Sequence, residues 1–139
     1  MKVAVIYAST TGNTEAMANA VCEALKGTGA DVIFGTADSA DKAAVSSCDV
    51  ILLGSPAMGA EVLEDTMEEF YTGIENSLSG KKVGIFGSCD WGDGQWLRDW
   101  KDRLEGTGAT VIGEPLVVHL TPGDEEIEQC KAWAAAVIK

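Results

Sequence analysis

Residues Val3 to Ala8 read Val-Ala-Val-Ile-Tyr-Ala, and the run stops abruptly at Ser9-Thr10-Thr11-Gly12-Asn13-Thr14. So short an apolar stretch, with no polar alternation, reads as a strand buried on both faces. The pattern returns in Val50-Ile51-Leu52-Leu53 and in Val83-Gly84-Ile85-Phe86, with amphipathic segments between the runs. That alternation is the signature of βαβ units and a parallel sheet. Strands are predicted near 2–8, 30–35, 49–55, 82–88 and 109–119, and helices near 13–27, 40–46, 62–75, 94–106 and 124–137. The fold class is therefore α/β: a three-layer, doubly wound, five-stranded parallel sheet in one domain spanning 1–139.

Helical spacing puts Met17, Ala20, Val21, Ala24 and Leu25 on one face of the first helix, which Gly27 and Gly29 then end. In the third helix, Val62, Met67, Phe70 and Tyr71 are expected inside, with Glu64, Asp65, Glu68 and Glu69 in water. Ligands of doubly wound sheets bind beyond the carboxyl ends of the strands. Three loops of unusual composition occupy that edge: 9–14, 56–61 and 88–94.

Composition narrows the chemistry. The net charge of -12 excludes nucleic acid and anionic membranes as partners, since both need clustered Lys and Arg. It serves solubility, or steering toward basic patches on a partner. Met1-Lys2 and the apolar run after it resemble a signal peptide only superficially, because hydroxyl and amide residues follow at once. Cys22, Cys48, Cys89 and Cys130 contain no Cys-x-x-Cys pair, which speaks against metal or iron–sulfur ligation and for reduced thiols in the cytoplasm.

The first loop holds no Lys or Arg. An anion bound there is neutralised by backbone N–H groups, hydroxyls and the positive end of a helix dipole. That suits a cofactor monophosphate that stays bound better than a nucleotide that is cleaved. Gly12 lets the backbone approach closely. A helix N-cap would account for Asn13 or Thr14, but not for a run of consecutive polar donors. Other phosphate motifs fail on residues: there is no Gly-Lys-Ser/Thr, and Gly27-Thr28-Gly29 has Val32 where a dinucleotide fingerprint needs its third Gly.

The Ser9–Thr14 loop resembles the FMN phosphate loop of the flavodoxins. Gly54-Ser55-Pro56-Ala57-Met58-Gly59-Ala60-Glu61 and Ser88-Cys89-Asp90-Trp91-Gly92 are similar to the other two flavin loops of short-chain flavodoxins from anaerobic bacteria. The resemblance covers essentially the whole chain, and the last strand region lacks the insertion of long-chain members. The strand order 2-1-3-4-5, with FMN at the switch point, is implied by the resemblance. So is the function: a low-potential one-electron carrier with noncovalently bound FMN, shuttling between semiquinone and hydroquinone. A redox reductase and an acceptor with basic docking patches would be its partners, and a monomer is expected.

The resemblance also assigns roles. Ser9, Thr10, Thr11, Gly12, Asn13 and Thr14 would hold the phosphate, and Ser55, Pro56 and Ala57 would lead into the second loop. Met58 would pack on one flavin face, a polarizable thioether against a π-system. The peptide after Gly59 would turn on reduction and accept the new N5–H. One net hydrogen bond of roughly 0.5–1.5 kcal/mol corresponds to about 20–65 mV. Glu61 would accept from N3–H. Ala60 stands where relatives often carry Asp, Gly or another polar residue, which bears on how readily that peptide turns. Trp91 would stack on the opposite face, with Ser88, Cys89 and Gly92 beside the pyrimidine.

Cys89-Asp90 replaces the Tyr-Gly pair usual before this Trp. Cys89 has no evident cationic neighbour in sequence and reads as a small passive residue. His119, the sole histidine, has no catalytic partner in sequence. Trp96 and Trp100 sit four apart on a helix and read as packing residues, and Trp133 reads as structural. Two other classes share the architecture. A quinone reductase needs longer loops to build a substrate pocket, and a phosphoacceptor receiver needs acids where Ser9-Thr10 and Gly54-Ser55-Pro56 stand.

Asp90 has two placements open to it, near flavin N1 or in water. At about 10 Å and an effective dielectric near 20, its charge near N1 opposes the second reduction by about 1.7 kcal/mol. In the first placement Asp90→Asn raises the second one-electron potential in a low-salt titration; an unmoved potential assigns the carboxylate to solvent.

Overall fold

The computed structural model describes residues 1–9, 12–58, 62–89, 94–119 and 121–138, and the backbone alone of Met58 and Val62. In chain order the elements are β1 (Lys2–Tyr7), α1 (Asn13–Gly27), β2 (Asp31–Thr36), α2 (Lys42–Ser46), β3 (Val50–Gly54), β4 (Ala57–Met58) and β5 (Val62–Leu63). They continue as α3 (Asp65–Ile74), β6 (Lys82–Cys89), α4 (Gln95–Gly106), β7 (Thr110–Val111), β8 (Leu116–His119) and α5 (Asp124–Val137). The main sheet runs β2-β1-β3-β6, all parallel, and its fifth place is shared. There β7 pairs the start of β6 and β8 its end, both parallel. This is the expected 2-1-3-4-5 order.

Alternation along the central strands divides the core. Ala4, Ile6, Ile51, Leu53, Val83 and Ile85 face α2, α3 and α4. Val3, Val5, Val50, Leu52 and Phe86 face α1 and α5. Both sets are buried, which is why the strands read as continuous apolar runs. Met17, Ala20, Val21 and Leu25 are buried on α1 as their spacing required. Trp96 and Trp100 are buried in the α3–α4 layer. Trp133 packs edge-on against Phe86, ring centroids 5.9 Å apart. Gly54 sits mid-sheet because a Cβ there would overlap the Phe86 ring on the next strand.

Three boundaries differ from the sequence reading. The predicted strand 109–119 is split, because Gly113 takes φ 69° and residues 113–115 leave the ladder, after a last bond from Ile112 N–H to Val83 O at 2.8 Å. The released Glu114 carbonyl accepts from Trp133 Nε1–H at 2.8 Å. The predicted helix 62–75 begins at Asp65, with the Glu64 carboxylate capping it by accepting from Thr66 N–H at 3.1 Å. Val62 is thus not a helical core residue; it lies opposite Met58 in the small antiparallel pair β4–β5. Similarly α2 starts at Lys42, after Asp41 caps Ala43 N–H at 3.0 Å.

Glu68, expected simply in water, is gripped by Arg103 from α4 through bonds of 2.7 and 2.9 Å. The guanidinium also stacks 4.7 Å from the Tyr71 ring centre. The hydrogen bonds from Arg103 hold the Glu68 carboxyl below its ordinary value of 4.5. A depressed acid adds stability above its unfolded pKa and loses it as the pH falls through the folded one. The Glu68 side chain is 46% exposed, so the pair contributes no more than about 1 kcal/mol. Glu68→Gln is therefore less stable than the parent at neutral pH in urea unfolding, and the two converge as acid protonates the Glu68 carboxylate.

Candidate functional site

Strands β1, β3 and β6 end side by side, and their ladder extends into the loops: Ala8 N–H donates to Gly54 O at 2.9 Å and Ser55 N–H to Phe86 O at 3.1 Å. The three polar loops are thereby brought to one edge of the sheet.

In the first loop, Gly12 takes φ 91° at the N-cap of α1 and has no side chain of its own to cap it. A Cβ at Gly12 would meet no atom of the described residues beyond its chain neighbours within 4 Å. Gly12 N–H and Glu15 N–H both point at one acceptor, Ser9 Oγ, at 3.0 and 3.3 Å. Backbone donors converging at a helix start are the geometry a phosphate requires, and here they meet on the Ser9 hydroxyl. Asn13 is half-buried at the first helical position. Thr14 is buried, and its hydroxyl bonds that of Ser88 at 2.8 Å, tying the first loop to the start of the third. Thr10 and Thr11 lie outside the described residues.

Beside this loop a cavity of about 200 Å³ is bordered by Tyr7, Ser9, Glu15, Asp38 and Glu64. Burial, and then the bond donated to Glu15 Oε2 at 3.2 Å, push the Tyr7 phenol upward. Its three carboxylates disfavour an anion inside it.

The second loop includes β4, which pairs antiparallel with β5, Ala57 with Leu63 and Met58 with Val62. Ala57 is half-buried against the α3–α4 core and Pro56 is buried. Ser55 is wholly buried behind the loop, its hydroxyl donating to Pro56 O at 3.0 Å and accepting from Glu64 N–H at 3.1 Å. Gly59, Ala60 and Glu61 lie outside the described residues, as does the Met58 side chain.

The third loop leaves β6 through Ser88 and Cys89, both buried. Asp90, Trp91 and Gly92 lie outside the described residues. The chain re-enters at Gly94, φ 91°, just before α4. Three features escaped the sequence reading. Trp96 Nε1–H donates to Ser55 O at 3.1 Å. A Cβ at Gly87 would overlap that same carbonyl oxygen. His119 stands in parallel register with Cys89, although thirty positions separate them in sequence. None of these carries a local signal, because each depends on which strands become neighbours.

An uncharged, open helix start flanked by two loops of the expected composition fits FMN. The flavodoxin family model matches residues 5–133. The chain belongs to the flavodoxin family. It is 48% identical to the flavodoxin of Megasphaera elsdenii over 138 residues, 99% of this chain and 98% of that one. It is 40% identical to the flavodoxin of Clostridium beijerinckii over 127 residues, 91% of each. The solution structure of two-electron reduced Megasphaera elsdenii flavodoxin matches with a TM-score of 0.84, covering 97% of this chain and 98% of that one. Like other flavodoxins, the chain is an FMN-binding electron carrier that works with redox partners.

Thr14→Val keeps the shape of the side chain and removes its hydroxyl. It leaves Ser88 Oγ buried without this partner, and the variant is expected to lose about 1–3 kcal/mol in urea unfolding at unchanged m-value.

Proposed function

We propose that residues 1–139 form one domain that carries single electrons on noncovalently bound FMN and does no substrate chemistry of its own. The observation that carries this reading is the start of α1, where the N-cap residue Gly12 has no side chain and N–H donors converge on Ser9 Oγ without a Lys or Arg in the loop. Such a site binds a dianion by dipole and hydrogen bonds and offers no cation to activate a leaving group.

When bound, FMN supplies two one-electron couples. This chain's residues then divide the work. Ser9, Thr10, Thr11, Gly12, Asn13 and Thr14 bind the phosphate. Met58 and Trp91 cover the two ring faces, Gly59 and Glu61 offer acceptors to ring N–H groups, and Ser88, Cys89, Asp90 and Gly92 border the pyrimidine edge. With a net charge of -12, the protein opposes further negative charge on reduction and keeps the second couple low. The same acidity steers it toward basic docking patches on a reductase and an acceptor. Nucleic acid is not a partner. Among the described residues no helix is long and apolar enough to cross a membrane. A cytoplasmic monomer accords with this role.

The test is reconstitution of the flavin-free protein. Two or more charge-assisted hydrogen bonds of about 1.5–3 kcal/mol each give FMN roughly a 10²–10⁴-fold advantage over riboflavin. Stepwise dithionite reduction of the loaded protein is expected to resolve two separate one-electron steps. Equal affinity for the two flavins would reject the phosphate site, and rapid NAD(P)H-dependent quinone reduction by the protein alone would replace the carrier with an enzyme.

A further inference from the structure

Ser55 stands at the root of the second loop, and all of its polar groups are engaged inside the protein. Its N–H donates to Phe86 O at 3.1 Å and its carbonyl accepts from Trp96 Nε1–H at 3.1 Å. Its hydroxyl donates to Pro56 O at 3.0 Å and accepts from Glu64 N–H at 3.1 Å. Ser55 is 0% exposed and Trp96 1%.

These bonds meet at a junction. The β4–β5 pair leaves the sheet at Pro56 and returns at Glu64, so one hydroxyl pins both of its feet. The indole N–H fastens the same residue to the first turn of α4, the helix that follows the third loop. Gly87, where any Cβ would overlap Ser55 O, allows β6 to lie directly against the junction.

We propose that Ser55, braced by Trp96, is a positioning residue of the flavin site: it ties the residue before β4, the residue after β5 and the first turn of α4 to one point at the root of the second loop. The proposal rests on the FMN reading above. Reduction at neutral pH gives the isoalloxazine ring an added N–H donor, whose acceptors must come from the bordering backbone. A pinned β4–β5 pair presents those acceptors in one arrangement, and a loosened pair serves the reduced ring worse than the oxidised ring. Ser55 therefore acts on the difference between redox states without touching the flavin.

The experiment is potentiometric titration of FMN-loaded Ser55→Ala, Ser55→Cys and Trp96→Phe beside the parent protein, with amide hydrogen exchange at Glu64 in the flavin-free forms. In Ser55→Ala the first one-electron potential is expected to fall by at least threefold in equilibrium constant, about 28 mV at about 59 mV per tenfold. Exchange at Glu64 accelerates at least tenfold. Ser55→Cys, which keeps a weak sulfur acceptor, falls between, and Trp96→Phe shifts the same couple from the other side of the junction. Should Ser55→Ala fail to fold, the other two variants are judged by the same criteria. Variants that lose affinity for every redox state in equal proportion, leaving both potentials at the parent values, would overturn the proposal and reduce Ser55 to a packing residue. A parent protein that binds no FMN would instead refute the functional reading beneath it.

Discussion

Three strands buried on both faces, β1, β3 and β6, run in parallel register and stop at one edge, and the loops of the flavin site inherit their spacing from that ladder. Helices on both sides exclude water from the strands, so their backbone groups must pair with one another. The pairing continues past the strand ends, where Ala8 bonds Gly54 and Ser55 bonds Phe86. The first loop is therefore joined to the second, and the second to the third, before any ligand arrives. Thr14 and Ser88 close the circuit with a buried hydroxyl pair.

On this frame the site uses two kinds of electrostatics. At the proposed phosphate end these are oriented dipoles: a helix start whose N-cap residue, Gly12, has no side chain and takes a left-handed conformation. Such donors are already aligned when the ligand binds, so little reorganisation opposes binding. Around the site the protein is strongly acidic, and the carboxylates of Glu15, Asp38 and Glu64 line the neighbouring cavity. Dipoles favour one localised anion, whereas the wider field disfavours additional negative charge. A carrier that holds a phosphate firmly yet gives up its second electron readily needs both.

Local pattern made the strands, the helices and the polar composition of the three loops legible. Hydrophobic run length and helical spacing are set by burial, and burial leaves its mark on every turn of chain. Boundaries were less legible. Glu64 looked like a solvent-facing helical residue because a capping carboxylate and an exposed one have the same sequence environment; its partner Thr66 N–H decides the role. Val62 kept a helical spacing by coincidence and pairs instead with Met58. The final strand broke because Gly113 and the Trp133 indole offered the backbone another arrangement.

The chain alone determined that a parallel sheet would form, which loops would meet at its edge, and that any phosphate there would be held without cations, because these follow from residue type and short-range spacing. Only the tertiary structure decided that Ser55 would face inward as a four-bond junction, that Arg103 would reach across to Glu68, and that His119 would lie in register with Cys89. Each of those joins residues from separate elements. Such pairs exist only once the register of the strands and the packing of the helices have set which side chains become neighbours.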